Sequence, residues 1–329
     1  MSVAAEMPTR PKPPRLSLGP LLFNWGAERR RDFYFRIADE APVDIVYLGE
    51  VVCSKRAPFF DPHLPVVVER LMRAGKEVLF SSLALVEQER ERIALAELTG
   101  DPQLRIEAND LGAVGLLAGR PHAIGPFVNC YNEATLAWLA ANGAIRVTLP
   151  AELSAATLKT LAAAVPGIEL EVQAFGRMPL ALSARCYHAR AHGLAKDGCQ
   201  FVCDGDPDGM TVATLEEEPF LAINGTMTMS HAILNLLEWL HSLADGGIGC
   251  FRLWPQAVDM VAVAQCFRET ADGRREPRDA ERQLQTLAPF APFCDGYMQG
   301  AAGAERSCLP NRSDVTARIN SGRPTPQRR

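Results

Sequence analysis

Three cysteines crowd the stretch Ala184 to Gly209, ARCYHARAHGLAKDGCQFVCDGDPDG, where Cys186, Cys199 and Cys203 make a C-x12-C-x3-C array. In a chain that opens on no recognisable export signal, such an array points to metal ligation or redox chemistry rather than to a disulfide framework. Three thiolates leave a tetrahedral or cubane centre one ligand short. Cys53, in YLGEVVCSKR directly after a run that reads as a buried strand, is the candidate fourth. Cys199 and Cys203 stand four apart, so a helical segment would present both sulfurs on one face.

Four thiolates suit a structural zinc or an iron–sulfur cluster, both of which accept soft ligands. Zinc ribbons bring their ligands in C-x2-C pairs, and this spacing matches neither a ribbon nor a ferredoxin run. Cubane clusters accept irregular ligands from distant loops, so the spacing leans toward a [4Fe-4S] centre. It leaves zinc, and no metal at all, open. His188 and His192 lie inside the array as alternative zinc ligands, although a polar-loop histidine more often has another role. The run Asp204, Asp206, Asp208, Gly209 imitates the start of a calcium loop. Its twelfth position is Leu215 and Pro207 interrupts it, so a solvated acidic turn is expected. Cys130, Cys250, Cys266 and Cys294 occur in apolar settings and read as buried thiols, and Cys308 lies in the tail. Cys130 also sits at a strand's carboxyl end, which makes it the nearest competitor as a ligand.

The elements that must position these thiols alternate along the chain. Strands are expected at Leu16–Phe23, Asp44–Glu50, Lys76–Leu83, Leu104–Asp110, Ala123–Cys130, Ile145–Pro150, Glu169–Phe175 and Ile248–Pro255. Helices fall between them, one capped by Asn132 and another by Ser154. The rhythm breaks from Gly176 to Gly247. That interval holds the cysteine array, a strand pair near Pro219–Met227, and a helix expected to be capped by Ser230 and to carry Ile233, Leu237 and Leu240. A last helix is expected at Gln256–Thr270. Eight strands with intervening helices predict an α/β fold, a (β/α)8 TIM-like barrel spanning 16–300 with an insertion at 176–247 between strands seven and eight. An open doubly wound sheet with a second domain is the competing arrangement. On the barrel, Cys53 and Cys186 both follow strands and lie on the carboxyl-terminal face.

Bulk properties narrow the function. The chain has 329 residues, 47% hydrophobic and 22% charged, with a net charge of −5, nine cysteines and a pI near 5.8. An acidic chain lacks the electrostatic footprint of a nucleic-acid binder. No apolar run reaches the roughly 18 residues a membrane helix needs, and MSVAAEMPTRPKPPR lacks the apolar core of a secretory signal, so a cytoplasmic protein is expected. Residues 1–15, rich in Pro, Lys and Arg, and the small, polar, basic stretch 301–329 are expected to be disordered. No Walker loop, dinucleotide glycine fingerprint, H-E-x-x-H or G-x-S-x-G elbow occurs, nor the C-x3-C-x2-C run of radical S-adenosylmethionine enzymes.

The combination of YLGEVVCSKR, SARCYHAR, the C-x12-C-x3-C spacing, EPFLAINGTMTMS, RLWPQ and DGYMQG resembles the collagenase-like "unassigned" peptidase family, in its branch devoted to anaerobic, O2-independent ubiquinone biosynthesis. The resemblance runs from about Leu16 to Gly300, and the two ends depart from it. It implies that Cys53, Cys186, Cys199 and Cys203 bind a [4Fe-4S] cluster. It further implies a heterodimer with a UbiU-like protein that itself carries a cluster, and a UbiT-like lipid carrier. The implied task is hydroxylation of the ring of a ubiquinone precursor without dioxygen, with prephenate as oxygen donor. No catalytic residue is assigned. Lys55, Arg56, Arg185 and Arg252, at expected strand ends or beside ligands, are candidates for binding a dicarboxylate donor, against the plainer role of balancing thiolate charge. Two other functional classes compete: a peptidase, as the family's name suggests, and a noncatalytic scaffold stapled by zinc. Oxygen-independent hydroxylation of RNA bases, another activity of the family, is disfavoured by the acidic charge.

Overall fold

A computed structural model describes residues 14–306. In chain order the elements are β1 (Arg15–Leu18), α1 (Ala27–Glu40), β2 (Ile45–Leu48), α2 (Ala57–Phe60), α3 (Leu64–Arg73), β3 (Glu77–Ser81), α4 (Glu89–Gly100) and β4 (Ile106–Ala108). They continue with α5 (Leu111–Leu116), β5 (His122–Ile124), α6 (Glu133–Ala141), β6 (Ala144–Leu149), α7 (Ala155–Ala164), β7 (Glu169–Leu182) and α8 (Tyr187–Ala191). The remainder is β8 (Met210–Ala213), β9 (Pro219–Asn224), β10 (Met227–Asn235), α9 (Leu240–Asp245), β11 (Cys250–Leu253), α10 (Met260–Ala271), α11 (Pro277–Leu287) and β12 (Phe293–Cys294).

Strands β1 to β7 pair in parallel with their sequence neighbours, and β11 closes the circle by pairing in parallel with both β7 and β1. The result is a closed eight-stranded (β/α)8 barrel, as the strand–helix rhythm predicts. The caps at Asn132 and Ser154 form as expected, each accepting from the backbone N–H three residues on.

Strand alternation divides the buried residues between two places. Leu16, Leu18, Val46, Leu48, Ile106, Ala108, Val147, Leu149, Phe251 and Leu253 pack outward under the helices in one large apolar core. The inward positions are mixed. A small apolar cluster of Ile45, Tyr47, Leu79, Ala123 and Cys250 shares the barrel with a buried ionic network. Arg252 Nη2 reaches Glu107 and Glu171, both at 2.6 Å, and Thr148 at 2.9 Å, while its guanidinium lies 4.0 Å from the centre of the Tyr47 ring. Glu171 also accepts from Tyr47 and Thr148. Burial alone would raise the Glu171 carboxyl, but the charges of Arg252 and Arg146, with hydrogen bonds from Arg252 and Ser17, bring it down to about 2.

The insertion grows out of the barrel instead of interrupting it. β7 does not stop at Phe175; it runs to Leu182, and its outer half pairs antiparallel with β10. β10 pairs with β9 and β9 with β8, forming an antiparallel apron above the barrel mouth. Ser230 does not cap a helix, because it lies inside β10, where its Oγ accepts from Met178 N (2.9 Å) and donates to Ala232 O (2.6 Å). The apolar spacing Ile233, Leu237, Leu240 imitates a helix, yet pairing with β7 and β12 holds Ile233 extended. A helix absent from the expected set, α11, opens on Pro277. Residues 301–306 pack against the fold: the backbone of Asp295 and Gly296 donates to Glu305 O, and Arg306 Nη1 donates to Asn235 O at 2.8 Å. The rest of the expected lead-in and tail, residues 1–13 and 307–329 with Cys308, lies outside the described residues. No helix among the described residues is long and apolar enough to cross a membrane.

Candidate metal centre

Cys53, Cys186, Cys199 and Cys203 line one small cavity, together with Lys55, Arg56, His188, Phe201, Gly225 and Thr226. Four separate stretches of backbone build it. Cys53 ends the turn after β2 and precedes a short 3-10 helix, Ser54–Arg56, with its own N–H donating to Glu50 Oε1 at 3.1 Å. Cys186 follows β7 and caps α8, its Sγ accepting from Ala189 N at 3.4 Å. Cys199 and Cys203 do not share a helical face. Gln200 and Phe201 between them adopt left-handed φ of 50° and 55°, so a turn rather than an α-helix brings the two sulfurs to the cavity.

Donors surround the sulfurs. Asn24 Nδ2, in the loop after β1, lies 3.4 Å from Cys203 Sγ, and Lys55 Nζ lies 3.8 Å from Cys199 Sγ. Lys55 is itself held by Lys196 O. Arg56 is buried and ties three loops together: Nη1 donates to Leu22 O (2.8 Å) and Nη2 to Asn224 Oδ1 (3.1 Å). At Gly225 a Cβ would stand 2.9 Å from Arg56 Nη2, so glycine lets the β9–β10 turn approach that guanidinium. Burial pushes the Cys53 thiol up, with Arg56 opposing. Phe59 packs edge-on against Phe201 with ring centres 4.8 Å apart and screens one side.

The donor set fits a soft metal centre: four cysteines, all free, with hydrogen-bond donors against three of them. Among the described residues, no three His, Cys, Asp or Glu side chains converge tightly enough to grip a single ion. The four cysteines thus line one cavity without closing on a point, an arrangement that suits a group wider than a single ion. His188 does not face the sulfurs as a ligand would; its Nε2 lies 2.7 Å from Asp206 Oδ2, and its ring stacks on His192. The acidic run is likewise dispersed, since Asp208 accepts from Ala257 N while Asp206 takes His188.

The four expected donor-binding cations do not come together. Lys55 and Arg56 line the cysteine cavity, and Arg185 is exposed beside Cys186. Arg252 occupies an inward position of β11 rather than a strand end and is wholly buried against Glu107 and Glu171, which removes it from any donor site. Cys130 is buried outside the cavity, its thiol pushed up to about 11 by burial, and Cys294 likewise to about 12. Asn24, Thr226 and Gly225 were not legible as site residues. Asn24 reaches Cys203 across 179 positions of sequence, and nothing local marks it.

Among solved structures, a chain of the tryptophan synthase complex from Pyrococcus furiosus is similar at 12% identity, covering 84% of this chain and 99% of that one, with a TM-score of 0.39. An uncharacterized protein from Clostridium thermocellum that binds two copies of 5-methyl-5,6,7,8-tetrahydrofolic acid is similar at 8% identity, covering 79% and 95%, with a TM-score of 0.43. Residues 33–307 match the model of peptidase family U32, and the chain belongs to that collagenase-like family.

Proposed function

We propose that Cys53, Cys186, Cys199 and Cys203 hold a [4Fe-4S] cluster and that the chain is the UbiV-type subunit of a heterodimer with a UbiU-like protein. The pair would hydroxylate a ubiquinone precursor without dioxygen, in the cytoplasm, with a UbiT-like carrier presenting the greasy ring and prephenate supplying oxygen. One observation carries this reading: cysteines from the β2 loop and from the excursion after β7 line a single cavity. When bound, such a cluster would supply one-electron transfer at the mouth of the barrel. The chain's own residues have defined tasks around it. Asn24, Lys55 and the Ala189 N–H direct donors at the sulfurs, and Arg56 fixes the spacing of the loops after β1, after β2 and between β9 and β10.

Anaerobically purified protein analysed for iron and acid-labile sulfide tests it. About four of each per chain are expected, with a broad visible absorbance that bleaches on reduction. A colourless protein with one zinc per chain would instead support the scaffold reading.

The peptidase alternative has one observation in its favour. Asp206 orients His188 in the cavity that the four cysteines line, as a triad acid orients its base. Against it, His188 Nδ1 is buried without a hydrogen-bond partner, so the base touches no thiol nucleophile. Release of peptides from a casein or gelatin substrate, abolished by His188→Ala and surviving removal of iron, would favour that reading.

A further inference from the structure

The start of α4 stands between the two stretches of chain that carry the cysteines. Glu91, at the third helical position, is 6% exposed, and a carboxylate is rarely buried so far unless it is paired. Its Oε2 accepts from the backbone N–H groups of Glu87 (2.8 Å) and Gln88 (3.1 Å), the second of which is half of a capping box. The cap uses Oε2 alone. Oε1 instead accepts from Ser54 Oγ at 2.6 Å, 37 positions away and next in sequence to Cys53. Burial would raise the Glu91 carboxyl, but the Ser54 hydroxyl and the two amides, with Lys196 nearby, hold it below the ordinary carboxylate value. Hydrogen bonds to such a charged acceptor are the strong ones.

Cys53 therefore sits between two carboxylate anchors. Glu50 Oε1 accepts from the N–H groups of Val52 and Cys53, both at 3.1 Å, and fixes the approach to the cysteine from β2. Glu91, through Ser54, fixes the residue that follows. The start of α4 also reaches the other half of the ligand set: Glu87 accepts from Lys196 Nζ, which donates as well to Ala184 O at 2.9 Å. Ala184 lies two residues before Cys186 and Lys196 three before Cys199, so this lysine ties both approaches to α4. A single hydroxyl supplies the link to Cys53, and removing it leaves the helix cap, Glu50 and Lys196 in place.

We propose that Ser54 and Glu91 are positioning residues for the Cys53 ligand: the pair holds the β2 loop against the insertion, so that the iron bound by Cys53 is retained when the cluster is oxidised. The retained iron rests on the cluster reading above. The anchor itself is a property of the chain and is measurable without iron.

Anaerobically prepared full chain, oxidised with ferricyanide and followed by electron paramagnetic resonance, tests the pair. A [4Fe-4S]2+ cluster that gives one electron to ferricyanide and releases one Fe2+ becomes [3Fe-4S]+, which carries an unpaired spin where the starting cluster has none. Ser54→Ala should form that signal at least about tenfold faster than the parent, the step expected when a hydrogen bond to a charged group is lost. Ser54→Thr, which keeps the hydroxyl, should restore the parental rate. In the metal-free chain, alkylation by iodoacetamide, located by mass spectrometry, should rise by a similar factor at Cys53 in Ser54→Ala and stay unchanged at the buried Cys130. An unchanged alkylation rate at Cys53, or a three-iron signal no faster than the parent's in a chain that carries iron, overturns the assignment. A chain that takes up no iron, in which Ser54→Ala still quickens alkylation at Cys53, would sink the cluster reading and leave the anchor standing.

Discussion

Arg252 Nη2 lies 2.6 Å from Oε2 of Glu171, and neither side chain is exposed to solvent. The pair sits inside the barrel, where a guanidinium deprived of water is held by two carboxylates, a threonine and an aromatic face. Removing one partner of such a pair leaves the other buried and uncompensated. Arg252→Met should therefore destabilise the fold by about 3–5 kcal/mol, read from denaturant unfolding. A loss under 1 kcal/mol would show that the network is replaceable.

The same network predicts an acid response. The folded Glu171 carboxyl, at about 2, lies below its ordinary value of 4.5. A depressed carboxyl contributes stability that is complete above the unfolded value and is lost as pH falls toward the folded one. Unfolding free energy should thus decline between about pH 4.5 and 2, and Glu171→Gln should flatten that decline. Stability measured across the window in both proteins checks the sign; a steeper decline in the variant would refute it.

Much of the barrel was legible and its interior was not, for one physical reason. Apolar runs such as Ile45–Leu48 mark strands buried on both faces, and eight of them with helices between admit few topologies. Polar residues at alternate positions ordinarily mark a solvated face. In Cys250–Leu253 the alternate residue, Arg252, instead points into the barrel, and only the partners Glu107 and Glu171, brought from 145 and 81 positions away, make that tolerable. That Cys53 and Cys186 would lie on one face was legible because loops after barrel strands share it, and the two line one cavity. The turn joining Cys199 to Cys203 was not, since left-handed backbone at Gln200 and Phe201 has no glycine to announce it.

The proposed cluster divides the cysteines of the described residues into ligands and buried thiols. Cys53→Ser, Cys186→Ser, Cys199→Ser and Cys203→Ser should each lower iron content to a small fraction of the parent's, while Cys130→Ala and Cys266→Ala should retain it. Retention of iron by Cys53→Ser would remove the one ligand that comes from the β2 loop.

Donors to sulfur make the reduced, more negative state of a cluster easier to reach. Asn24 and Lys55 approach Cys203 and Cys199, so Asn24→Leu and Lys55→Met should lower the reduction potential while leaving iron content near the parent's. A hydrogen bond worth ~1 kcal/mol and about 59 mV per tenfold for one electron place each shift in the tens of millivolts. Redox titration followed by visible absorbance measures it, and an upward shift in either variant would be the wrong sign.

Gly176 is where the barrel strand becomes the apron, and its backbone has φ +110°, a region that residues with a Cβ rarely adopt. A Cβ there would lie 2.7 Å from Trp254 Cβ and 3.1 Å from Trp254 O. Those are a backbone atom and the root of a buried ring, neither of which can swing aside. Gly176→Ala should therefore cost about 1–3 kcal/mol from strain and displace Trp254. Gly100→Ala, outside the left-handed region and with nothing within 4 Å of an added Cβ, supplies the control and should destabilise by less than about 0.5 kcal/mol. Thermal unfolding and tryptophan emission read the two effects together. Equal stability of the two variants would mean that the strand passes from barrel to apron without needing a glycine.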